Sequence, residues 1–162
     1  MPQPGAYPEG STRGTIRDMD VLTQSQRSFN MSRIRSRWTA QERSLHGLLK
    51  GWKVRHRMHP VLPGKPDVLV TPDLVVFIHG CFWHGCRECY VPPKSRQDYW
   101  HPKIDGNRAR DRRNSAAARR SGFRVLALWE HEFKRNAANC VARIVRAAGR
   151  SGSRAVRPVS RP

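Results

Sequence analysis

The segment PDVLVTPDLVVFIHG, residues 66–80, constrains the fold of this chain more than any other feature. Its two apolar runs, VLV and LVVFI, are bounded by Pro, Asp and Gly, and this pattern predicts two short strands joined as a hairpin. With Pro72 and Asp73 as the central turn residues, Asp67 is expected to lie opposite Ile78. Asp73 is expected to accept hydrogen bonds from backbone groups of the turn.

The remaining elements follow from apolar spacing and from capping residues. The stretch TAQERSLHGLLKGW predicts a helix with Thr39 as its N-cap, and NRARDRRNSAAARRSG predicts a second helix that ends at Gly122. FRVLALWE predicts a buried strand, and the residues after it predict a final amphipathic helix. The inward side chains of that helix are predicted to be Phe133, Ala137, Val141, Ile144 and Val145. The order helix, hairpin, irregular loop, helix, strand, helix predicts an α/β fold with a mixed sheet.

The charge of the chain indicates its class of partner. The 162 residues carry a formal net charge of +19 and have a pI of about 11.4, which indicates a polyanion such as nucleic acid. The longest apolar run is too short to span a membrane. The composition predicts a disordered tail over 1–25, one domain over 26–148 and a flexible basic tail over 149–162. The start of the chain does not resemble an export signal, so we expect a reducing, cytoplasmic compartment.

Three cysteines follow the hairpin closely. Cys81, Cys86 and Cys89 form a Cys-x4-Cys-x2-Cys pattern, which predicts a zinc site in a reducing compartment. A tetrahedral ion needs a fourth ligand, for which His131 is favoured over Cys140, since Cys140 lies on the apolar face of the last predicted helix. Four protein ligands make the zinc structural, whereas three thiolates plus water would make it catalytic.

Two carboxylates are candidates for chemistry. Asp67 begins the first hairpin strand, and a hard cation such as Mg²⁺ needs only one or two protein oxygens. Standing alone, Asp67 would be better explained as a solvated carboxylate at the start of a strand, but the hairpin brings a backbone carbonyl and His79 to the same end of the sheet. Glu42 lies on the first helix among basic neighbours, where it forms either a surface salt bridge or a contact that orients a histidine or a water molecule.

Several separated motifs resemble one known family. They are LPGKPD at 62–67, FIHGCFWH at 77–84, the Tyr99-Trp100 pair with Lys103-Ile104, NRARDRR at 107–113, GFRVL at 122–126 with Trp129-Glu130, and NMSRI at 30–34. Together they resemble the very-short-patch-repair (Vsr) DNA mismatch endonucleases over about residues 25–145. The (D/E)xK part of the wider nuclease signature is absent, as it is in that family.

The resemblance implies a fold, an activity and partners. The fold is expected to be restriction-endonuclease-like, with a central mixed sheet flanked by helices and a structural zinc site. The expected activity is a Mg²⁺-dependent nick in double-stranded DNA on the 5′ side of the thymine of a T:G mismatch, which arises when 5-methylcytosine deaminates. A monomer associated with the nucleoid, with a MutL-type mismatch-repair protein as a further partner, is also implied.

The resemblance also implies roles for individual residues. The catalytic positions are Asp67, His84, His79 and Glu42. The expected magnesium ligands are Asp67 and the backbone oxygen of Ile78, and the expected zinc ligands are Cys81, Cys86, Cys89 and His131. The rings that enter the base stack beside the mismatch are Phe82 and Trp83, with Met31 from the opposite groove. The other expected DNA contacts are Trp100, Lys103, Asn107, Arg108, Arg112 and Arg113.

Two other functions remain open from the residues themselves. A non-enzymatic zinc module that binds nucleic acid explains the cysteines and the charge, but leaves Asp67, His79 and His84 without a role. A nuclease of the same fold with another DNA target is the second. Replacement of Asp67 by Ala separates the first alternative from a nuclease, and comparison of T:G with other mismatches and matched duplex separates the second.

Overall fold

The computed structural model describes residues 25–26 and 37–149 of the 162-residue chain. Met31 and nearly all of the two predicted tails lie outside the described residues. The helices and strands over 37–149 are α1 (Ala40–Gly51), β1 (His56–Met58), β2 (Val68–Val70), β3 (Leu74–His79), α2 (Gln97–Arg120), β4 (Arg124–Trp129) and α3 (Glu130–Gly149). The predicted α/β element order is therefore confirmed over this part of the chain.

One mixed sheet has the strand order β1-β2-β3-β4. The first two pairs are antiparallel, and β3 pairs with β4 in parallel, with α2 in the connection between them. The β2–β3 hairpin is confirmed, but its predicted register is wrong by one residue because Val70 pairs with Leu74. All three residues between these partners form the turn, so the β3 residue opposite Asp67 is the one before Ile78. The Asp67 side chain still reaches Ile78.

The two faces of the sheet are covered by different helices. Helices α1 and α3 cover one face and enclose a cluster of ten buried residues, including Leu45, Leu49, Val76 and Ile144. Helix α2 covers the other face through a smaller cluster, whose buried residues are Val75, Phe77 and Ala118. Strand β3 is buried on both sides, which explains why its sequence is apolar at consecutive positions.

Helix α1 begins as predicted. The Thr39 hydroxyl accepts a hydrogen bond from the Glu42 N–H at 3.3 Å, and it donates to the Glu42 carboxylate at 3.0 Å. The Thr39 hydroxyl thus satisfies one of the backbone donors that a helix N-terminus leaves free, and the Glu42 carboxylate holds that hydroxyl in place. Leu45 and Leu49 then enter the core on the predicted leucine face.

The other two helices differ from their predicted extents. Helix α2 starts at Gln97, about three turns earlier than predicted, and contains Pro102. Ile104 and Asn107 are buried against the domain, so tertiary contacts maintain a helix that its proline disfavours. Val145 of α3 was predicted to face inward but is 40% exposed. The helical path has a break at Asn136, with φ −162° and ψ 93°, but Val141 and Ile144 beyond it are buried as predicted.

The turn acid Asp73 has a longer-range contact than predicted. Arg124 at the start of β4 donates from Nε at 2.9 Å and from Nη2 at 2.6 Å to the two carboxylate oxygens of Asp73. The Arg124 N–H also donates to the Asp73 carbonyl oxygen at 2.9 Å. A bidentate pair of this kind fixes orientation as well as position. It holds β4 beside the β2–β3 turn, at the end of the sheet away from His79.

Candidate active site

Asp67 lies immediately before β2, with its side chain directed at β3. Its Oδ2 accepts a hydrogen bond from the Ile78 N–H at 2.7 Å. In a strand, the N–H and C=O of one residue point to the same side, so the Ile78 carbonyl also faces the Asp67 side of β3. Burial raises the pKa of Asp67 to about 6; the Ile78 hydrogen bond and His84 lower it, and the charges of Glu42 and Asp111 raise it further.

Two histidines and an aspartate form a second group beside Asp67. His79 ends β3, His84 lies in the following loop, and Asp111 lies on α2. The ligand atoms of these three side chains are all within 4.8 Å of one another. His84 Nδ1 is 2.6 Å from Asp111 Oδ2, and the His79 and His84 ring centroids are 4.5 Å apart. Because the Asp111 carboxylate accepts a hydrogen bond from Nδ1–H, the Nε2 atom of His84 is left as the acceptor.

The environment sets different charges on these side chains. Burial, followed by the charge of His84, lowers the pKa of His79 to about 4. Burial on its own opposes ionisation of Asp111, but the hydrogen bond and charge of His84, with smaller contributions from His79 and Arg110, outweigh it and lower the pKa of Asp111. At neutral pH the group therefore contains a carboxylate and an uncharged His79 ring.

The three cysteines meet His131 as the sequence predicts. The Nδ1 atom of His131 lies 3.3 Å from the Sγ of Cys81, and 3.5 Å from each Sγ of Cys86 and Cys89. A tetrahedral zinc ion, with Zn–S of about 2.3 Å and Zn–N of about 2.0 Å, separates sulfur from nitrogen by about 3.5 Å. The three sulfur–nitrogen distances therefore match those of a structural zinc site, and all four ligand atoms lie within 4.8 Å of one another. The other candidate, Cys140, lies on α3 and is buried in the apolar cluster between the sheet and helices α1 and α3.

The thiols of this cluster influence one another's ionisation, and the pKa values of Cys86 and Cys89 are shifted in opposite directions. Hydrogen bonding to Cys81, burial and the charges of both neighbouring thiols raise the pKa of Cys89 to about 12. Burial disfavours the Cys86 thiolate too, but backbone hydrogen bonds from Glu88 and Cys89 outweigh this and lower the pKa of Cys86. Three thiols that cannot all ionise together are suited to a divalent cation, since the cation compensates their summed charge.

Glu88 is a member of this region that the sequence analysis missed. Its Oε2 lies 3.3 Å from His131 Nε2, on the side of the ring opposite the thiols, and 3.5 Å from Arg135 Nη1. A carboxylate in this position orients a ligating imidazole. Its place within the Cys-x2-Cys segment is a signal that could have found it, because the turn brings that side chain towards the fourth ligand.

The aromatic side chains form one group next to the cysteines. The Phe82 ring centroid is 5.2 Å from Trp83 and 5.1 Å from Trp100, and the two tryptophans are 5.9 Å apart. All three rings are partly exposed. The structure therefore brings together the two predicted wedge residues and Trp100, which lies on the early part of α2 that was not predicted as helical.

The predicted DNA contacts on α2 divide into two kinds. The amide of Asn107 is buried and donates to the Trp83 carbonyl oxygen at 2.7 Å. Arg108 Nη2 donates to the Gly85 carbonyl oxygen at 2.8 Å. Gly85 has φ +57°, and a Cβ at this position would come within 2.5 Å of the Arg108 guanidinium. These two side chains hold the loop in place. The exposed ones are Lys103, Arg112 and Arg113.

Glu42 is buried at the N-terminus of α1. Its Oε2 accepts from the Trp38 N–H at 2.6 Å and lies 3.1 Å from His59 Nε2, and its Oε1 accepts from the Thr39 hydroxyl. These contacts are not those of a surface salt bridge. Glu42 contributes negative charge to the environment of Asp67.

Asp111 is the main member of the His79, His84 and Asp111 group to which the sequence analysis assigned no role. Its signal is the spacing Ile104, Asn107, Asp111 and Ala118, which places it on the inward face of α2. An acidic side chain on the buried face of a basic helix requires a partner. The early start of α2 at Gln97 was missed, and without it this periodicity is incomplete.

A mixed sheet flanked by helices, with an acid and two histidines at one end of β3, fits a nuclease fold. The model of the family described as DNA mismatch endonuclease Vsr matches residues 19–91. The type II nicking enzyme V.XorIIP of Xanthomonas oryzae pv. oryzae is 45% identical over 118 residues, which are 70% of this chain and 86% of that protein. The DNA mismatch endonuclease Vsr of Escherichia coli (strain K12) is 42% identical over 115 residues, 68% of this chain and 73% of that protein.

A further relative extends the covered length. The type II nicking enzyme V.NmeAIP of Neisseria meningitidis is 40% identical over 131 residues, 78% of this chain and 92% of that protein. The chain belongs to the Vsr family of DNA mismatch endonucleases, as the motifs predicted. Among the described residues, none of the helices has the length and apolar character needed to cross a membrane.

Proposed function

We propose that this chain is a DNA endonuclease that nicks double-stranded DNA on the 5′ side of the thymine of a T:G mismatch. The observation that carries the proposal is the convergence of Asp67, His79, His84 and Asp111 at one end of β3, beside a group of partly exposed aromatic rings. The family membership and the formal charge of +19 support DNA as the substrate.

Oxygen atoms of this site suit Mg²⁺. Asp67 is a carboxylate whose ionisation is opposed by burial and by two neighbouring acids, so a cation beside it would be strongly favoured. Asp67 and the Ile78 carbonyl would hold the ion, with phosphate and water as its remaining ligands. When bound, Mg²⁺ would polarise the scissile phosphate and stabilise the charge that develops on it.

His84 is the proposed general base. Asp111 fixes the ring by accepting a hydrogen bond from Nδ1, so Nε2 is free to take a proton from the attacking water. As the new P–O bond forms, the bond to the leaving 3′ oxygen breaks. The His79 ring packs against His84 at 4.5 Å and restricts its motion. Glu42 acts from a distance, through its negative charge near Asp67.

The aromatic rings are proposed to recognise the mismatch. Insertion of Phe82 and Trp83 between base pairs disrupts stacking, and the free-energy cost is smallest at a mismatched step. Trp100 supports both rings from α2. Exposed Lys103, Arg112 and Arg113 are proposed to contact phosphates, with no preference for sequence.

The test is strand nicking of a labelled duplex that contains one T:G mismatch, with Mg²⁺ or with EDTA, and with matched duplex as the control substrate. We expect a Mg²⁺-dependent cut immediately 5′ of the mismatched thymine. Asp67→Ala should abolish the cut and retain DNA binding. Binding without nicking in every flanking sequence, by the unchanged protein, would instead favour a non-enzymatic DNA-binding module. Equal nicking at other mismatches would point to a nuclease with another target.

A further inference from the structure

The loop between β1 and β2, residues 59–66 (HPVLPGKP), has no role in the chemistry proposed above. Its base is closed by the His59 N–H, which donates to the Asp67 carbonyl oxygen at 2.7 Å. Within the loop, the Lys65 N–H donates to the Leu62 carbonyl oxygen at 3.0 Å. The loop is therefore an internally bonded unit joined directly to the residue proposed to bind the metal ion.

This loop is held rigidly against the domain. Leu62 packs on the apolar cluster of the α2 face. Gly64 has φ +83°, and a Cβ at this position would come within 2.2 Å of the Asn114 carbonyl oxygen on α2. His59 and Lys65 also have left-handed backbones, with φ of 46° and 51°, which non-glycine residues rarely adopt.

The outer surface of the loop faces an open cavity of about 760 Å³. Asp67 and the basic residues Arg37 and Lys65 are among the residues that line the cavity. Both basic side chains are exposed. Val61, at the tip, is 101% exposed although the loop is rigid. The cavity thus joins the metal-binding carboxylate to two cations and one fully exposed apolar group.

We propose that this surface binds the sugar–phosphate backbone of the cleaved strand, next to the scissile phosphate. The inference rests on the proposed function, because a strand whose phosphate lies at Asp67 must continue past one wall of this cavity. Lys65 and Arg37 contact phosphate oxygens there, and Val61 packs on a deoxyribose. The rigid loop places these contacts at a constant distance from Asp67, so it sets the position of the cleaved bond along the strand.

The chain offers a closely matched control for Lys65. Lys53 is also exposed and also left-handed, with φ of 55°, so Lys65→Gln and Lys53→Gln remove the same charge from the same backbone conformation. Lys53 follows the C-terminal end of α1, whereas Arg37 precedes its N-terminal end. The 12 residues of α1 separate the two by about 18 Å.

DNA binding is measured by fluorescence anisotropy in EDTA, over a range of salt concentrations, with matched and T:G duplexes. Each lost phosphate contact lowers the slope of log K against log salt by about 0.9, so wild-type affinity should fall about threefold more than that of Lys65→Gln between 50 and 200 mM salt. Arg37→Gln should lower the slope by a similar amount, equally for both duplexes. Lys53→Gln should match wild type.

A second pair of variants tests the loop tip. Val61→Asp places a carboxylate beside phosphates and should weaken binding about tenfold or more, whereas the isosteric Val61→Thr should bind within about threefold of wild type. Equal salt slopes for the Lys65 and Lys53 variants, or full affinity of Val61→Asp, would overturn the inference. Failure of the proposed function has a different signature, since wild type would then not nick T:G duplex whatever the binding slopes.

Discussion

The two faces of the sheet are held together in different ways. The face covered by α1 and α3 buries a continuous apolar cluster, which includes Cys140 with 1% exposure. The face covered by α2 has a smaller apolar cluster, with three buried residues, and is also held by polar contacts such as the pair between His84 and Asp111. The buried cysteine of the loop after β3, Cys86, is 4% exposed but belongs to a ligand cluster.

The face that contributes most to the stability of the fold is therefore not the face beside the candidate active site. Apolar burial is non-directional and tolerates small displacements, whereas a polar site requires fixed distances and angles. A site with buried charged groups and clustered thiols lowers the free energy of unfolding, because each polar group must be desolvated when the chain folds. The large apolar cluster on the opposite face supplies the stability that the α2 face lacks.

The largest expected contrast is between the two buried cysteines. We expect Cys86→Ala to remove bound zinc and to unfold the aromatic loop, because structural zinc supplies binding free energy on the order of 10 kcal/mol. Cys140→Ala should retain about one zinc ion per chain. Zinc content and amide hydrogen exchange of residues 80–96 are the measurements. Loss of zinc from the Cys140 variant would show that the ligand set is not the one in the structure.

A second contrast compares two acids of α2. Asp111→Asn should slow single-turnover nicking about a hundredfold or more, since a neutral amide no longer stabilises the protonated His84 ring and its NH2 can donate to Nδ1, which fixes the wrong tautomer. DNA affinity in EDTA should stay unchanged, which separates a positioning role from a folding defect. Asp105→Asn is the control, because Asp105 is exposed and lies 3.5 Å from Arg108 on the same helix. Equal rates for the two variants would exclude the proposed role of Asp111.

The smallest contrast compares two neighbours on β3. Val75 and Val76 are both 0% exposed and point to opposite faces. We expect Val76→Ala to lower the free energy of unfolding by about 2–3 kcal/mol, and Val75→Ala by about 1 kcal/mol less, because the smaller α2-side cluster can close around the lost methyl groups more easily. Urea denaturation measures both. The reverse order would mean that the α2 face carries the greater share of stability.

Local signals predict the elements of this fold well. Thr39 caps α1, the apolar runs form β2 and β3, and Gly122 follows the end of α2 with φ +87°. Each of these features depends on residues close together in sequence. The cysteine spacing likewise predicts the ligand cluster, because Cys86 and Cys89 are brought together by a local turn.

What the sequence does not reveal depends on distant contacts. The start of α2 was missed because Pro102 and Gly106 disfavour a helix locally, and only burial of Ile104 and Asn107 explains it. Asp73 was expected to bind its own turn, yet the guanidinium that holds it comes from β4. Asp111 received no role for the same reason, since its partner His84 lies on a different element.

The parallel pairing of β3 with β4 has a consequence for the order in which the chain is completed. A parallel pair requires a long crossover, here α2, so the fourth member of the cysteine cluster comes 42 residues after Cys89, at His131. Synthesis from the N-terminus therefore produces Asp67, His84 and Asp111 before the loop that carries His84 can be closed. A chain that has been synthesised only as far as α2 contains Asp67, His84 and Asp111, but His131 is not yet present to join the three cysteines. We therefore expect nuclease activity to be acquired late in synthesis.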